Sequence, residues 1–194
     1  MRRLGFWGAA LLLVACAAWL VGGHITAIAQ DKEAEKAEEH AYVGASACKM
    51  CHKSAKKGEQ YKKWLNSPHA KAYDTLKSVQ SRQLMLTLGL EGLPTEHDKC
   101  LKCHVTAHGV KPALLEKGYS IEEGVSCESC HGPASDWKKP HMRDREAAVK
   151  AGLRDPGNPE MCKTCHNPES PTYKEFVYEE KLAVIAHPNP NKKK

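Results

Sequence analysis

Eight cysteines and four histidines of this chain recur in one arrangement: two cysteines separated by two residues, followed at once by a histidine. The four copies occupy residues 48–52, 100–104, 127–131 and 162–166. Cys-x-x-Cys-His is the attachment sequence of c-type haem, in which both thiols bond to the porphyrin and the histidine binds its iron. The pattern therefore predicts four covalently bound haem c groups.

Paired cysteines alone also occur in zinc ribbons and thiol oxidoreductases. Neither alternative explains a histidine after every pair. The ninth cysteine, Cys16, lies outside the motifs, so no pair of thiols remains for a structural disulfide. The predicted haem-linking cysteines are Cys48, Cys51, Cys100, Cys103, Cys127, Cys130, Cys162 and Cys165. The predicted proximal iron ligands are His52, His104, His131 and His166.

The first 29 residues have the composition of an export signal. Arg2 and Arg3 precede an apolar run, and residues 27–29 read Ala-Ile-Ala, a signal-peptidase site. Bacteria attach haem c after export, so we predict a periplasmic protein. Two alternatives stay open. The apolar residues 4–25 are long enough to remain as a membrane anchor, and residues 13–16 resemble a lipoprotein box that ends in Cys16.

The formal net charge of +6 does not indicate a nucleic-acid partner. Loss of Arg2 and Arg3 with the signal leaves +4. Haem propionates and ferric porphyrin cores then bring the oxidised holoprotein to about zero. The chain also lacks a cluster of Lys and Arg interleaved with aromatic residues, as single-strand binding would need. We therefore exclude nucleic acid.

Length and pattern predict one mainly α-helical domain with long irregular loops and few or no strands. About 165 residues remain after the signal, and no run alternates convincingly at period two. Phe6 and Phe176 are the only phenylalanines, so side chains alone make a thin core. We expect the four haems to form that core. A macrocycle that buries about 500 Å² of apolar surface would contribute about 12 kcal/mol.

The chain divides by composition into four parts. These are a signal peptide at 1–29, a charged linker at 30–41, a tetrahaem cytochrome domain at 42–188 and a disordered basic tail at 189–194. Besides the motifs, helices are expected at 57–66, 68–78, 84–90, 143–151 and 174–186.

Each haem iron has a second axial position, filled by a side chain or open to a small molecule. Spacing alone does not pair the remaining histidines with haems. Met85, Met142 and Met161 are interpreted as core or surface residues rather than ligands. Candidate aromatic residues for haem-pocket packing are Trp64, Tyr73 and Tyr119. The histidines outside the motifs and the signal are His40, His69, His97, His108, His141 and His187.

Three strings resemble the tetrahaem cytochrome c-554 family: WLNSPHAKA at 64–72, Cys-His-Val at 103–105, and GVSCESCHGP at 124–133. The similarity extends over roughly residues 42–187. It implies a multihaem cytochrome fold with three bis-histidine haems and a five-coordinate haem at the second motif. The implied pairs are His69 with His166, His141 with His52, and His187 with His131.

His104 is then left without an assigned opposite ligand. His108 stands where the family tends to have an aromatic residue. It follows His104 by four residues and should lie on the proximal side of the second-motif haem, so we expect it at the surface or against a propionate. His40 and His97 are expected to be solvent-exposed. The alternative is that either completes a haem, in this chain or in a neighbouring subunit.

We predict an electron carrier, not an enzyme, that passes single electrons between periplasmic or membrane-bound redox proteins. Bis-histidine ligation lacks the thioether that raises the potential of His/Met cytochromes, so low potentials are expected. Two alternatives stay open. One is a haem enzyme that reduces nitric oxide or a related nitrogen oxide at an open haem held by His104. The other is an oligomer, a cytochrome polymer with haems stacked across subunits.

Overall fold

The computed structural model describes residues 39–190, which form short α-helices joined by 3₁₀ turns and loops. The α-helices are α1 Ser46–His52, α2 Gln60–Leu65, α3 Ala72–Leu76, α4 Val79–Thr87, α5 Asp98–His104, α6 Cys127–His131, α7 Arg145–Lys150, α8 Pro159–Lys163 and α9 Tyr178–Ile185. The 3₁₀ turns are Ala55–Lys57, His69–Lys71, Pro112–Leu114, Ile121–Glu123 and Pro140–Met142. Over the same residues, β pairing is confined to an isolated bridge between Tyr42 and Leu115. The mainly α class is confirmed.

Several helices are shorter than the sequence predicts because the backbone turns inside them. The stretch 57–66 begins as a 3₁₀ turn and is interrupted where Gly58 (φ 102°) and Glu59 (φ 53°) take left-handed conformations, before α2 starts. The stretch 68–78 likewise divides into a 3₁₀ turn and α3. The stretch 174–186 reduces to α9.

Side-chain caps set the start of other helices. Ser78 accepts a hydrogen bond from the Ser81 amide, so α4 begins five residues before the predicted start at 84. Asp144 accepts one from the Ala147 amide and places the start of α7 at Arg145 rather than 143.

Some expectations fall on residues that the structure does not describe. The signal peptide or anchor at 1–29, the lipoprotein box at Cys16, most of the linker at 30–41 and the tail from 191 lie outside the described residues. Within residues 39–190, no helix has the length and apolar character to cross a membrane.

Apolar side chains pack into two small clusters. The first cluster consists of Val43, Ala134, Trp137 and Ala148, with Ala151 and Leu153 against it. The second consists of Leu76 on α3 with Leu101 and Val105 around α5, contacted by Tyr73 and Cys100. The largest fully buried side chains in the described part of the chain are Glu128 and Pro94 rather than aromatic residues. This sparse core agrees with a domain organised around prosthetic groups.

A buried carboxylate joins the start of the domain to α6. Glu128 is 1 % exposed and accepts hydrogen bonds from the amides of Val43 (3.0 Å), Gly44 (2.8 Å) and Ala134 (2.8 Å). Burial raises the pKa of this carboxyl, and the three amides oppose that shift. Gly44 has φ 83°, and a Cβ there would lie 2.1 Å from the Gly118 carbonyl oxygen. Only glycine fits this junction.

The buried Thr106 joins α5 to α6. Its hydroxyl donates to the Gly124 carbonyl (2.9 Å) and accepts from the Ser126 amide (2.7 Å). It also lies 2.7 Å from the Ser129 hydroxyl. Tyr119 donates its hydroxyl hydrogen bond to the Thr106 carbonyl. The second and third motifs are therefore held side by side by hydrogen bonds.

Candidate haem-binding sites

Each Cys-x-x-Cys-His sequence coincides with a short helical segment. The first three motifs end α1, α5 and α6. The fourth begins in α8 and runs past its end, where the His166 amide still donates to the Cys162 carbonyl (2.9 Å). Residues three apart in a helix lie on one face, about one turn apart. Each motif can therefore present two sulfur atoms and an imidazole to one porphyrin.

Three pairs of imidazole rings face each other across similar gaps. Ring centroids are 6.0 Å apart for His52 and His141, 6.1 Å for His69 and His166, and 6.1 Å for His131 and His187. Two metal–nitrogen bonds of about 2 Å each plus two imidazole radii give about 6 Å. Each gap therefore fits one metal ion between two nitrogens, and the pairs are those that the family resemblance implies.

Several histidines form a hydrogen bond through Nδ1, so that their Nε2 atom is available to bind a metal. An Nδ1–H that donates to oxygen fixes the tautomer and exposes the Nε2 lone pair. The Nδ1 partners are Gln60 Oε1 for His52 (3.2 Å), the Ala72 carbonyl for His104 (2.7 Å), the Lys138 carbonyl for His141 (2.5 Å) and the Ile185 carbonyl for His187 (2.8 Å).

Burial favours the neutral form of four of the paired imidazoles. It lowers the pKa of His131 to about 4, with the nearby His187 adding to the shift. Burial also lowers the pKa values of His52, His69 and His166. The neutral ring is the form that binds iron, so these environments fit the ligand role.

Two aromatic residues that sequence reasoning missed contact the paired imidazoles. Phe176 stacks on His166 with centroids 4.6 Å apart, and Trp137 meets His141 edge-on at 5.4 Å. Trp137 is buried and directs its indole N–H to the Gly132 carbonyl (3.3 Å). The contact of Trp137 with His141 could have been predicted from their spacing, because residues four apart are neighbours on a helical turn.

The aromatic residues expected to pack in haem pockets have varied surroundings. Trp64 donates to the Val125 carbonyl (2.9 Å), beside the third motif. Tyr73 packs against the second cluster, and the Lys77 ammonium lies 4.9 Å from its ring. Among the methionines, Met85 is buried with its sulfur 3.9 Å from that of Cys100, whereas Met142 is 62 % exposed.

The second motif differs from the other three. Over residues 39–190, no imidazole pairs with His104 across a metal-sized gap. A cavity of about 260 Å³ adjoins this motif. Its lining includes Cys103, His108, Ser129, Arg154 and Cys165.

The remaining histidines make local polar contacts. His108 is 26 % exposed and lies 3.3 Å from Asp98. His97 is partly buried rather than solvent-exposed as expected, and it caps α5 by accepting a hydrogen bond from the Lys99 amide (3.2 Å). His40 differs from the expected solvent exposure. Its side chain is 17 % exposed, because it hydrogen-bonds to Asp136 (2.6 Å) and packs on Gly152.

The motifs lie close together in two pairs. The side chain of Cys48 lies close to that of Cys127, and the side chain of Cys103 lies close to that of Cys165. An ion pair between Lys102 and a carboxylate of the fourth-motif region, Glu169, spans 3.0 Å. Motif one is therefore adjacent to motif three, and motif two to motif four.

The chain is similar to known cytochromes. The sequence profile described as cytochrome c554 and c-prime matches residues 47–132. Cytochrome c-554 of Nitrosomonas europaea is 30% identical over 144 residues, which cover 64% of this chain and 57% of that protein. The reduced-state structure of cytochrome c554 from Nitrosomonas europaea shares 26% identity, with a TM-score of 0.47. That match covers 75% of this chain and 78% of the other.

Proposed function

We propose that this chain is a relative of the cytochrome c554 and c-prime proteins and a periplasmic carrier of single electrons between redox proteins. Its four Cys-x-x-Cys-His motifs would bind four c-type haems through their cysteines. The haems supply the one-electron chemistry. The protein's own part is to hold, shield and space them.

One observation supports the carrier role above all. Three imidazole pairs stand 6.0–6.1 Å apart between ring centroids, so three irons would have both axial positions filled by histidines. Filled axial positions leave no room for a substrate and favour electron transfer. We therefore assign His69, His141 and His187 as the distal ligands opposite His166, His52 and His131.

The pairing of motifs supports the same role. The closeness of Cys48 to Cys127 and of Cys103 to Cys165 brings the attachment points of two haems together in each pair. The hydrogen bonds of Thr106 join the second motif to the third, and so connect the two pairs. This continuity supports electron movement through all four sites.

The ligand assignment is tested by counting spin states. We expect the EPR spectrum of the oxidised holoprotein to show three low-spin haems and one high-spin haem. His141→Ala should convert one low-spin haem to high-spin, because the first-motif iron loses its second nitrogen. His97→Ala, which removes only a helix cap, is the matched control. An unchanged low-spin count in His141→Ala would refute the assignment.

The carrier role is tested by electron stoichiometry. The dithionite-reduced protein, freed of excess reductant, should deliver about four electrons to an oxidised soluble cytochrome c added as acceptor. Stopped-flow absorbance at the acceptor band would record the transfer. Holoprotein that dithionite reduces but that delivers no electrons to the acceptor would contradict the proposal.

A second candidate is reduction of nitric oxide or a related nitrogen oxide at the second motif. Among residues 39–190 no imidazole pairs with His104 across a metal-sized gap, and this favours the candidate. Arg154 and His108 lie beside the second motif and would be available to direct hydrogen bonds to a bound ligand. We expect cyanide or nitric oxide to shift the absorbance of one haem. Four low-spin haems whose absorbance is unchanged by cyanide and by nitric oxide would eliminate this candidate.

A further inference from the structure

The charges of this chain are divided unevenly along its sequence. Residues 40–73 contain seven lysines and a single acid, Glu59, for a formal net charge of +6. Residues 74–190 contain 15 basic and 17 acidic residues, a formal net charge of −2. The positive segment includes the whole of motif one, so lysines are concentrated in the part of the chain around this haem site.

The lysines of this segment share a surface. The Lys49 ammonium on α1 lies 5.8 Å from the ring centre of Tyr61 on α2, which brings the lysines of both helices together. Glu59 pairs with Lys62 at 3.2 Å. We call this surface the cationic face and define it by six exposed lysines, Lys49, Lys53, Lys56, Lys57, Lys62 and Lys63.

Two exposed apolar side chains lie on the same two helices as lysines of the cationic face. Met50 is 83% exposed, and Leu65 at the end of α2 is 49% exposed. The haem-linking Cys51 is itself exposed, whereas the other seven motif cysteines are partly buried. The first-motif haem would therefore be attached next to this surface. Small apolar centres with charged rims are typical of weak electron-transfer interfaces.

We propose that the cationic face docks an acidic redox protein, one that presents carboxylates around its own redox centre, and that electrons cross at the first motif. The proposal rests on the proposed carrier function and adds the place and the chemistry of the partner. Charge complementarity would orient the partner and speed encounter. A haem attached next to this surface favours a redox protein as the partner of the cationic face. An anionic membrane would also attract the lysines, but its headgroups offer no electron acceptor.

The test uses flavodoxin hydroquinone as an acidic probe protein and the fully loaded cytochrome. Stopped-flow absorbance gives the second-order rate constant for haem reduction at a series of salt concentrations. The test variant carries Lys49→Glu, Lys53→Glu and Lys63→Glu. The control variant carries Lys99→Glu, Lys150→Glu and Lys174→Glu, three exposed lysines outside the cationic face with the same change in net charge. Complete reduction by dithionite confirms that each variant is loaded.

We expect the wild-type rate constant to fall steeply with salt. At low salt the test variant should be slower by about tenfold to a hundredfold. The control variant should stay within about threefold of wild type. Equal slowing of the two variants would overturn the proposal, since net charge alone would then explain the effect. So would a wild-type protein that dithionite reduces but flavodoxin does not. Failure of dithionite to reduce the protein would instead refute the carrier function.

Zero-length cross-linking gives a readout that does not depend on redox activity. A carbodiimide should join lysines at residues 49–63 to flavodoxin carboxylates, and mass spectrometry would locate the bonds. Cross-links spread evenly over the lysines of the chain would overturn the proposal. Salt-sensitive binding to vesicles with 30% phosphatidylserine, lost in the test variant, together with no cross-links at 49–63, would overturn it in favour of a membrane surface.

Discussion

The first and third haem motifs lie against each other, yet their intervening residues have opposite environments. In motif one these residues are Lys49 and Met50, and Met50 is 83% exposed. In motif three they are Glu128, which is 1% exposed, and Ser129, which contacts Thr106. The same attachment sequence thus serves as a surface contact in one place and as an interior anchor in the other. The two residues between the cysteines of each motif determine whether the motif lies at the surface or in the interior.

The sharpest test of this comparison removes one haem at a time. Cys127→Ala with Cys130→Ala should abolish cooperative thermal unfolding, because α6 holds the start of the domain and the loop after α5. Cys48→Ala with Cys51→Ala should leave a folded protein with three haems. Soret absorbance, intact mass and circular dichroism would measure both. Equal loss of structure in the two variants would break the comparison.

Removal of every haem extends the same experiment. A variant with all eight motif cysteines replaced by alanine should lack a cooperative unfolding transition, because the two apolar clusters are too small to stabilise the domain. Circular dichroism during heating is the measurement. A well-folded apoprotein would contradict the view that haems form the core.

The next largest effect is expected at the buried carboxylate. Glu128→Ala leaves three amides without an acceptor and should cost about 3–5 kcal/mol of unfolding free energy. Glu128→Gln keeps one oxygen and should cost less. Urea unfolding of the holoprotein would measure both. Lys49→Gln at the corresponding position of motif one is the matched control, and a change above about 0.5 kcal/mol there would weaken the comparison.

A smaller effect is expected where Trp137 contacts His141. Trp137→Phe keeps a ring against the imidazole but removes the hydrogen bond to the Gly132 carbonyl, at a cost of about 1 kcal/mol. The EPR signal of a single low-spin haem should change, because the indole ring no longer fixes the orientation of the His141 imidazole. Urea unfolding and EPR provide the readouts. A shift in several haem signals would show that Trp137 acts more widely.

The smallest effect is expected at the side-chain cap that begins α7. Asp144→Ala removes the acceptor for the Ala147 amide and should cost about 1 kcal/mol. Asp144→Asn, which keeps a capping oxygen, should cost much less. Neither variant should change any haem spectrum. Urea unfolding of both variants gives the baseline against which the motif variants are compared.

Much of this architecture could be predicted from the sequence, since the motifs carry their own chemistry and local period-two patterns are absent. The burial of Glu128 could not, because it depends on amides of Val43 and Gly44 that lie more than 80 residues away. The break before α2 also escaped prediction, since Glu59 adopts a left-handed conformation that its residue type disfavours. Both the burial of Glu128 and the break before α2 depend on tertiary contacts.

The three imidazole pairs also impose an order on maturation. On a chain exported from its amino end, the first and third motifs emerge before their proposed distal ligands, His141 and His187, which lie 89 and 56 residues further on. The fourth motif emerges after its partner, His69. Haems one and three would therefore pass through a half-ligated stage that haem four never needs, and each would stay open to other ligands until its distal histidine has emerged.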